Sequence, residues 1–115
     1  MTVTLYHNPK CSTSRKVLEM LRDRGLEPEI VDYMKTPPDT ETLKAIVAAT
    51  GKDVRALLRR RGTPFEALGL DDPALGDAAI YAAIAEHPVL IERPIVVSAK
   101  GARLGRPPEA VLEIL

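Results

Sequence analysis

The sequence predicts an α/β fold, with a βαβ opening, a helical insertion over about residues 37–92 and a ββα close. Three observations carry this. A short β-prone run at Val3 to Tyr6 is followed by apolar residues at helical spacing and then by a second β-prone run. From Pro37 the pattern turns helical, with start and stop residues of its own. Strand character returns at Pro94 to Val97, where Lys100-Gly101 can make a hairpin turn. At 115 residues and 45% hydrophobic, the chain can bury a real core but is too short for two ordinary domains, so one domain over residues 1–115 is expected.

The elements follow in order. His7-Asn8-Pro9-Lys10 breaks the first strand with turn chemistry. Val17, Leu18 and Leu21 mark a helix from about Cys11 to Arg24, stopped by Gly25, and Glu29 to Tyr33 forms the second strand with Ile30 and Val31. A strand-helix-strand unit of this length implies a parallel pair. Thr36-Pro37-Pro38-Asp39 ends it. Asp39 is placed to cap a helix carrying Leu43, Ile46 and Val47 as far as Gly51, and Asp53 to cap another through Leu57 and Leu58 to Gly62. Thr63-Pro64-Phe65-Glu66 has the form of a capping box with proline at the first helical position, which predicts a third. A fourth, with Ile80, Tyr81 and Ile84 on one face, is expected after Asp77 and before Pro88. Ala102 to Leu104 pairs back on Pro94 to Val97, and Gly105-Arg106-Pro107-Pro108 leads into a last helix with Val111, Leu112 and Leu115. This order is that of a thioredoxin-like (glutaredoxin-like) core split by helices.

Composition narrows the function classes. Lys plus Arg is 16 and Asp plus Glu is 16, so no bulk charge draws the chain to nucleic acid, and 3% aromatic residues leave few rings for bases to stack on. The N-terminal MTVTLYHNPK lacks the apolar core of a signal peptide and no run is long enough to span a bilayer. One cysteine cannot close an internal disulfide, which points to a reducing compartment, the cytoplasm. Any redox cycle at this thiol must therefore take its second thiol from another molecule.

Cys11 stands where a strand hands over to a helix. Unpaired N–H groups and the partial positive charge of a helix start stabilise a thiolate, and the same features bind a tetrahedral oxyanion. Ser12, Thr13, Ser14 and Arg15 add donors. A buried structural cysteine is the competing reading, disfavoured by this polar setting. His7, four residues earlier, fits a proton acceptor or a loop support equally well. Ser14 and Arg15 are as well explained by a plain helix start. One cysteine and two histidines give no closed tetrahedral zinc set, so no metal site is expected. Arg93-Pro94 enters a strand and Arg106-Pro107 leaves a hairpin, while Arg59-Arg60-Arg61 reads as a solvated helix end from which at most one side chain points at a site.

Tyr6-His7-Asn8-Pro9-Lys10-Cys11-Ser12-Thr13-Ser14-Arg15 resembles the active-site loop of glutaredoxin-dependent arsenate reductases of the ArsC type. Val54 to Arg59, Glu92 to Val97 and Arg103 to Pro107 resemble three further segments of that family, in the same order along the chain. The chain looks like a shorter branch of it, ending Gly105-Arg106-Pro107-Pro108-Glu109. The resemblance implies Cys11 as nucleophile, Arg59, Arg93 and Arg106 as oxyanion clamps, and His7, Ser14 and Arg15 in support of the thiolate and its loop. It also implies arsenate as substrate, phosphate as competitor, no bound cofactor, and glutathione as co-substrate with glutaredoxin as the protein that resolves the mixed disulfide.

Three other functions fit parts of the pattern. An Spx-like regulator that binds RNA polymerase would usually carry Cys-x-x-Cys, where this chain has Cys11 and Ser14. A monothiol oxidoreductase acting on glutathionylated proteins would need Cys11 but not the three separated arginines. A phosphate-binding domain would tolerate Cys11→Ser.

Overall fold

The computed structural model describes residues 2–115, which fall into two compact units: the residues up to Thr36 together with Arg93–Leu115, and Pro37–Glu92.

The first unit is built on a four-stranded sheet. Its strands are β1 (Thr4–His7), β2 (Glu29–Asp32), β3 (Ile95–Ser98) and β4 (Gly101–Leu104), in the spatial order β2-β1-β3-β4. β1 and β2 run parallel with Leu5 opposite Ile30, as the βαβ reading requires, and β3 lies antiparallel to both β1 and β4. The helix between β1 and β2, α1 (Ser12–Asp23), turns Ser14, Val17 and Leu21 inward. These positions, three and four residues apart, form one stripe of a 3.6-residue helix. Val17 and Leu21 meet Val3, Leu5, Val96, Val111 and Ile114 in a continuous core, where each fully buried Val, Leu or Ile side chain contributes roughly 1.5–3 kcal/mol.

The last segment departs from expectation. Pro108–Ile114 is a 3-10 helix, not an α-helix. Residues three apart eclipse in that geometry, so Val111 and Ile114 are buried on one line while Leu112 is left 38% exposed. Ser98 Oγ and Lys100 Nζ donate to the carbonyls of Ile114 and Leu115 at its end.

In the second unit two predicted helices form. α2 (Thr40–Thr50) starts where the Asp39 carboxylate accepts the Thr42 N–H at 2.8 Å and ends at Gly51, whose φ of 74° suits a residue without Cβ. α3 (Asp77–Glu86) buries Ile80, Tyr81 and Ile84.

Two helices do not form. After Asp53 there is only a 3-10 turn, Val54–Leu57, because Leu58 leaves it to make an antiparallel bridge with Ile91. The bridge is framed by Arg59 N–H to Leu90 O at 2.8 Å and Glu92 N–H to Leu57 O at 2.7 Å. Arg59-Arg60-Arg61 is therefore not a helix end. At Thr63-Pro64-Phe65-Glu66 the chain makes turns. Glu66, expected to reach back to the backbone at Thr63, is instead paired with Arg60 at 2.6 Å. Farther on, the Arg55 guanidinium takes the carbonyls of Leu70, Asp72 and Leu75 at 3.0, 2.9 and 3.0 Å. A half-buried arginine thus satisfies backbone acceptors that a helix would have used internally.

Candidate functional site

The site grows from the junction of β1 and α1. Cys11 is the N-cap of α1 with extended backbone (φ −93°, ψ 122°), and its carbonyl accepts the first helical bond from Arg15 N–H at 3.0 Å. Its side chain makes no capping bond, which leaves the sulfur over the unpaired N–H groups of the first turn. The residues before it form a fastened loop. Cys11 N–H reaches Asn8 O at 3.0 Å, Lys10 N–H reaches Asn8 Oδ1 at 3.0 Å, and Arg15 Nη1 reaches Pro9 O at 2.9 Å.

Two buried polar residues sit beneath that loop. His7 is 7% exposed and Ser14 is fully buried, and His7 Nδ1 lies 2.6 Å from Ser14 Oγ. Asn8 N–H also donates to Ser14 Oγ, at 3.1 Å. Burial lowers the His7 pKa; Asp32, opposite it on β2, pulls the other way, and Arg15 and Arg22 reinforce the lowering. The imidazole is thus neutral near pH 7, and placing its proton on Nε2 lets Nδ1 accept from the Ser14 hydroxyl. This pair ties the end of β1 to the first turn of α1.

The sulfur is surrounded by donors. Burial pushes the Cys11 pKa up, but the Ser14 N–H, the Arg93 side chain, the Thr13 N–H and the charge of Arg93 act against it, and the net result is a thiol below its ordinary pKa. Arg106 Nη2 lies 3.6 Å from Cys11 Sγ, and Arg106 Nε donates to the Arg93 carbonyl at 2.8 Å. Burial lowers the Arg93 pKa while Cys11 and the buried phenol of Tyr33 raise it, and the raising prevails. Both arginines are followed by cis prolines, Arg93-Pro94 and Arg106-Pro107. Between them Gly105 N–H bonds Pro94 O at 2.8 Å, and a Cβ on Gly105 would fall 2.8 Å from Pro94 Cγ and 2.9 Å from Val17 Cγ2. Only a residue without a side chain lets the two arginine-bearing segments approach this closely.

Within the first unit, then, His7, Ser14, Arg15, Arg93 and Arg106 are all brought to the Cys11 loop. Arg59 belongs to the second unit. Its Nη1 pairs with Glu92 at 2.9 Å, with both side chains 17% exposed, and its Nε donates to Arg61 O at 3.0 Å. Two of its three nitrogens are thus fixed, and Nη2 makes no hydrogen bond among the described residues. Arg60 is paired with Glu66 and stacks on the Phe65 ring at 4.6 Å.

Sequence reasoning missed Tyr33 and Glu92. Tyr33 carried no signal beyond ending a strand. Glu92 stood beside Arg93 in a segment already singled out, but its partner lies 33 residues away. Among the described residues no group of three or more His, Cys, Asp or Glu side chains could hold a metal ion, and no helix is long and apolar enough to cross a membrane.

Comparison with known proteins bears on this arrangement. The ArsC family model matches residues 6–114. The arsenate reductase of Rhizobium meliloti (strain 1021) is 53% identical over 115 residues, spanning 100% of this chain and 82% of that protein. An uncharacterized protein, YfgD, of Escherichia coli (strain K12) is 45% identical over 98% of this chain and 96% of its own. The solved arsenate reductase from Vibrio cholerae superposes with a TM-score of 0.95 at 50% identity, covering 100% of this chain and 98% of that one.

Proposed function

The chain belongs to the ArsC family, and from that premise we propose that it reduces arsenate to arsenite at Cys11, with glutathione as the electron donor. The observation that carries the reading is the convergence of two arginines on one thiol of lowered pKa, with Arg106 Nη2 at 3.6 Å from the sulfur and the Arg93 side chain bonded to it. One neighbouring cation is enough to favour a thiolate for disulfide exchange. A second guanidinium suits an oxyanion held against that sulfur, because a guanidinium donates paired hydrogen bonds to oxygens and stays charged.

The chemistry follows from the placement. Arg93 and Arg106 hold the arsenate oxygens, each charge-assisted bond being worth roughly 1.5–3 kcal/mol. Arg59, its guanidinium set by Glu92, is the third clamp in this reading. The Cys11 thiolate forms a bond to arsenic(V) as one oxygen leaves and takes up a proton to become water. The N–H groups of Thr13 and Ser14 that stabilise the thiolate remain to hold the charge that develops on the arsenate oxygens. A glutathione thiolate then attacks Cys11 Sγ. The S–As bond breaks with its electron pair on arsenic, which falls from V to III and leaves as arsenite. The product on the protein is a Cys11–glutathione disulfide. A glutaredoxin thiol takes the glutathionyl group and returns Cys11 to the thiolate. Neutral His7 and buried Ser14 hold the loop, and Arg15 fastens it through Pro9 O. Phosphate fits the same clamps and competes, since thiols do not reduce it. A cycle that consumes reduced glutathione belongs in the cytoplasm.

The test is arsenate-dependent NADPH oxidation with glutathione, glutaredoxin and glutathione reductase, comparing wild type with Cys11→Ser. Turnover that vanishes in the variant is the expected result. Folded wild-type protein without turnover across several glutaredoxins overturns the assignment.

A further inference from the structure

We propose that the groove beside the Cys11 loop, lined by Asn8, Pro9, Lys10, Asp32, Met34 and Lys35, binds the small thiol that reduces the enzyme, a peptide thiol bearing two carboxylates and one ammonium group. The inference rests on the thiol-donor reading above and gives that donor a place.

The groove lies wholly within the first unit and has a volume of about 290 Å³, close to the lower end of small-ligand sites. Each of its walls adjoins, along the chain, a residue tied to the thiol. Lys10 directly precedes Cys11, and Tyr33, between Asp32 and Met34, bears on Arg93, which bonds the thiol. The walls are held in shape. Asn8 Oδ1 accepts Lys10 N–H at 3.0 Å, Asp32 Oδ1 accepts Met34 N–H at 3.2 Å, and the Asp32 carbonyl accepts Lys35 N–H at 3.0 Å.

Its charge pattern is the reason for choosing this ligand. Lys10 and Lys35 are exposed and neither makes a salt bridge among the described residues, while Asp32 supplies one negative charge. Two cations and one anion complement a ligand with two carboxylates and one ammonium. Pro9 and Met34 supply apolar surface for its chain. Unpaired lysines here are not required by the oxyanion, which the arginines serve. One cysteine in the chain makes an external thiol necessary, and that thiol must reach Cys11 from a side the arsenic does not occupy. The lysine groove offers such an approach.

The experiment uses the full chain and two readouts. In the first, S-methylglutathione, which cannot react, is titrated into ¹⁵N-labelled wild-type protein and into Lys35→Glu. Saturable amide shifts are expected at Asn8, Lys10 and Asp32 to Lys35. The dissociation constant should rise roughly tenfold in the variant, the order of effect of reversing one contact charge, and also with added salt. In the second, the coupled assay should show Lys35→Glu raising KM for glutathione while KM for arsenate stays within twofold, with no effect when an uncharged thiol is the donor. Lys35 is exposed, so the variant is expected to fold, which circular dichroism checks. Shifts absent, located elsewhere or indifferent to Lys35→Glu overturn the proposal. An inactive wild type would instead overturn the reductase assignment and leave the titration to decide the groove.

Discussion

Gly105→Ala tests how the fold builds the site. Gly105 is buried where β4 gives way to Arg106, with its N–H on Pro94 O at 2.8 Å. A methyl group there would stand 2.8 Å from Pro94 Cγ, 3.4 Å from Pro94 Cδ and 2.9 Å from Val17 Cγ2. Those neighbours have little room to give, because Pro94 is a rigid ring fully buried in the unit and Val17 is 0% exposed on α1. Overpacking of this kind costs about 1–3 kcal/mol, which lowers Tm by on the order of 4–15 °C in a chain of this size. The strain also separates the segments carrying Arg93 and Arg106, whose spacing rests on the Arg106 Nε to Arg93 O bond. Thermal unfolding followed by circular dichroism gives the first quantity. KM for arsenate, measured well below the new Tm, gives the second and should rise by about tenfold, the equivalent of one weakened charge-assisted bond. A variant with Tm within 1–2 °C of wild type and unchanged KM would refute the claim that this glycine sets the arginine spacing.

Further outcomes follow from the same geometry. Arg93→Ala removes a bond and a charge that favour the thiolate, so the pH profile of Cys11 alkylation by iodoacetamide should move to higher pH; an unmoved profile would contradict the stated cause. Because the folded thiol titrates lower than the unfolded one, its contribution to stability is present above the unfolded pKa of about 8.5 and is lost as pH falls through the folded value. Denaturation of wild type and Cys11→Ser at several pH values should show the wild type's relative advantage growing toward alkaline pH. His7 also loses stability toward acid, in a lower pH range. A base whose folded pKa is lowered costs stability as pH falls below its unfolded value of about 6.5, so unfolding midpoints should fall from pH 7.5 to pH 5.5 more in wild type than in His7→Gln. On the proposed role of Arg59 as third clamp, Glu92→Gln, which removes its 2.9 Å ion pair, should raise KM for arsenate about tenfold with a smaller effect on kcat, with Glu92→Asp in between; equal losses in Arg59→Ala and the double variant would show that Glu92 acts through Arg59.

The parts of the chain that matched the sequence reading are those governed by near neighbours. α1, α2 and α3 declare themselves through apolar spacing and end signals such as Asp39 and Gly51, whose effects are spent within one helical turn. The parts that did not match are decided across longer distances. Residues 54–62 satisfy a helical pattern, yet Leu58 pairs with Ile91, and a bridge formed 33 residues away outweighs local propensity. Thr63 to Glu66 has a helix start signal, but Glu66 is claimed by Arg60 and the downstream carbonyls by Arg55. The final segment is a 3-10 helix with Val111 and Ile114 in the core, and its end is tied to Ser98 and Lys100, residues about 15 positions away in the chain.

The candidate site divides along the same line. The sequence alone determined the strand-turn-helix junction at Cys11, since the turn residues, the lone thiol and the helix start are consecutive and their chemistry is local. It also determined that any redox cycle must borrow a thiol. Only the tertiary structure decided which charges meet that sulfur. Arg106 is 95 residues from Cys11 in the chain and 3.6 Å from it in space, brought there by the pairing of β1 with β3 and β3 with β4 and by a glycine narrow enough to let Pro94 and Val17 close around it. Such contacts depend on register and packing, which no window of the sequence contains.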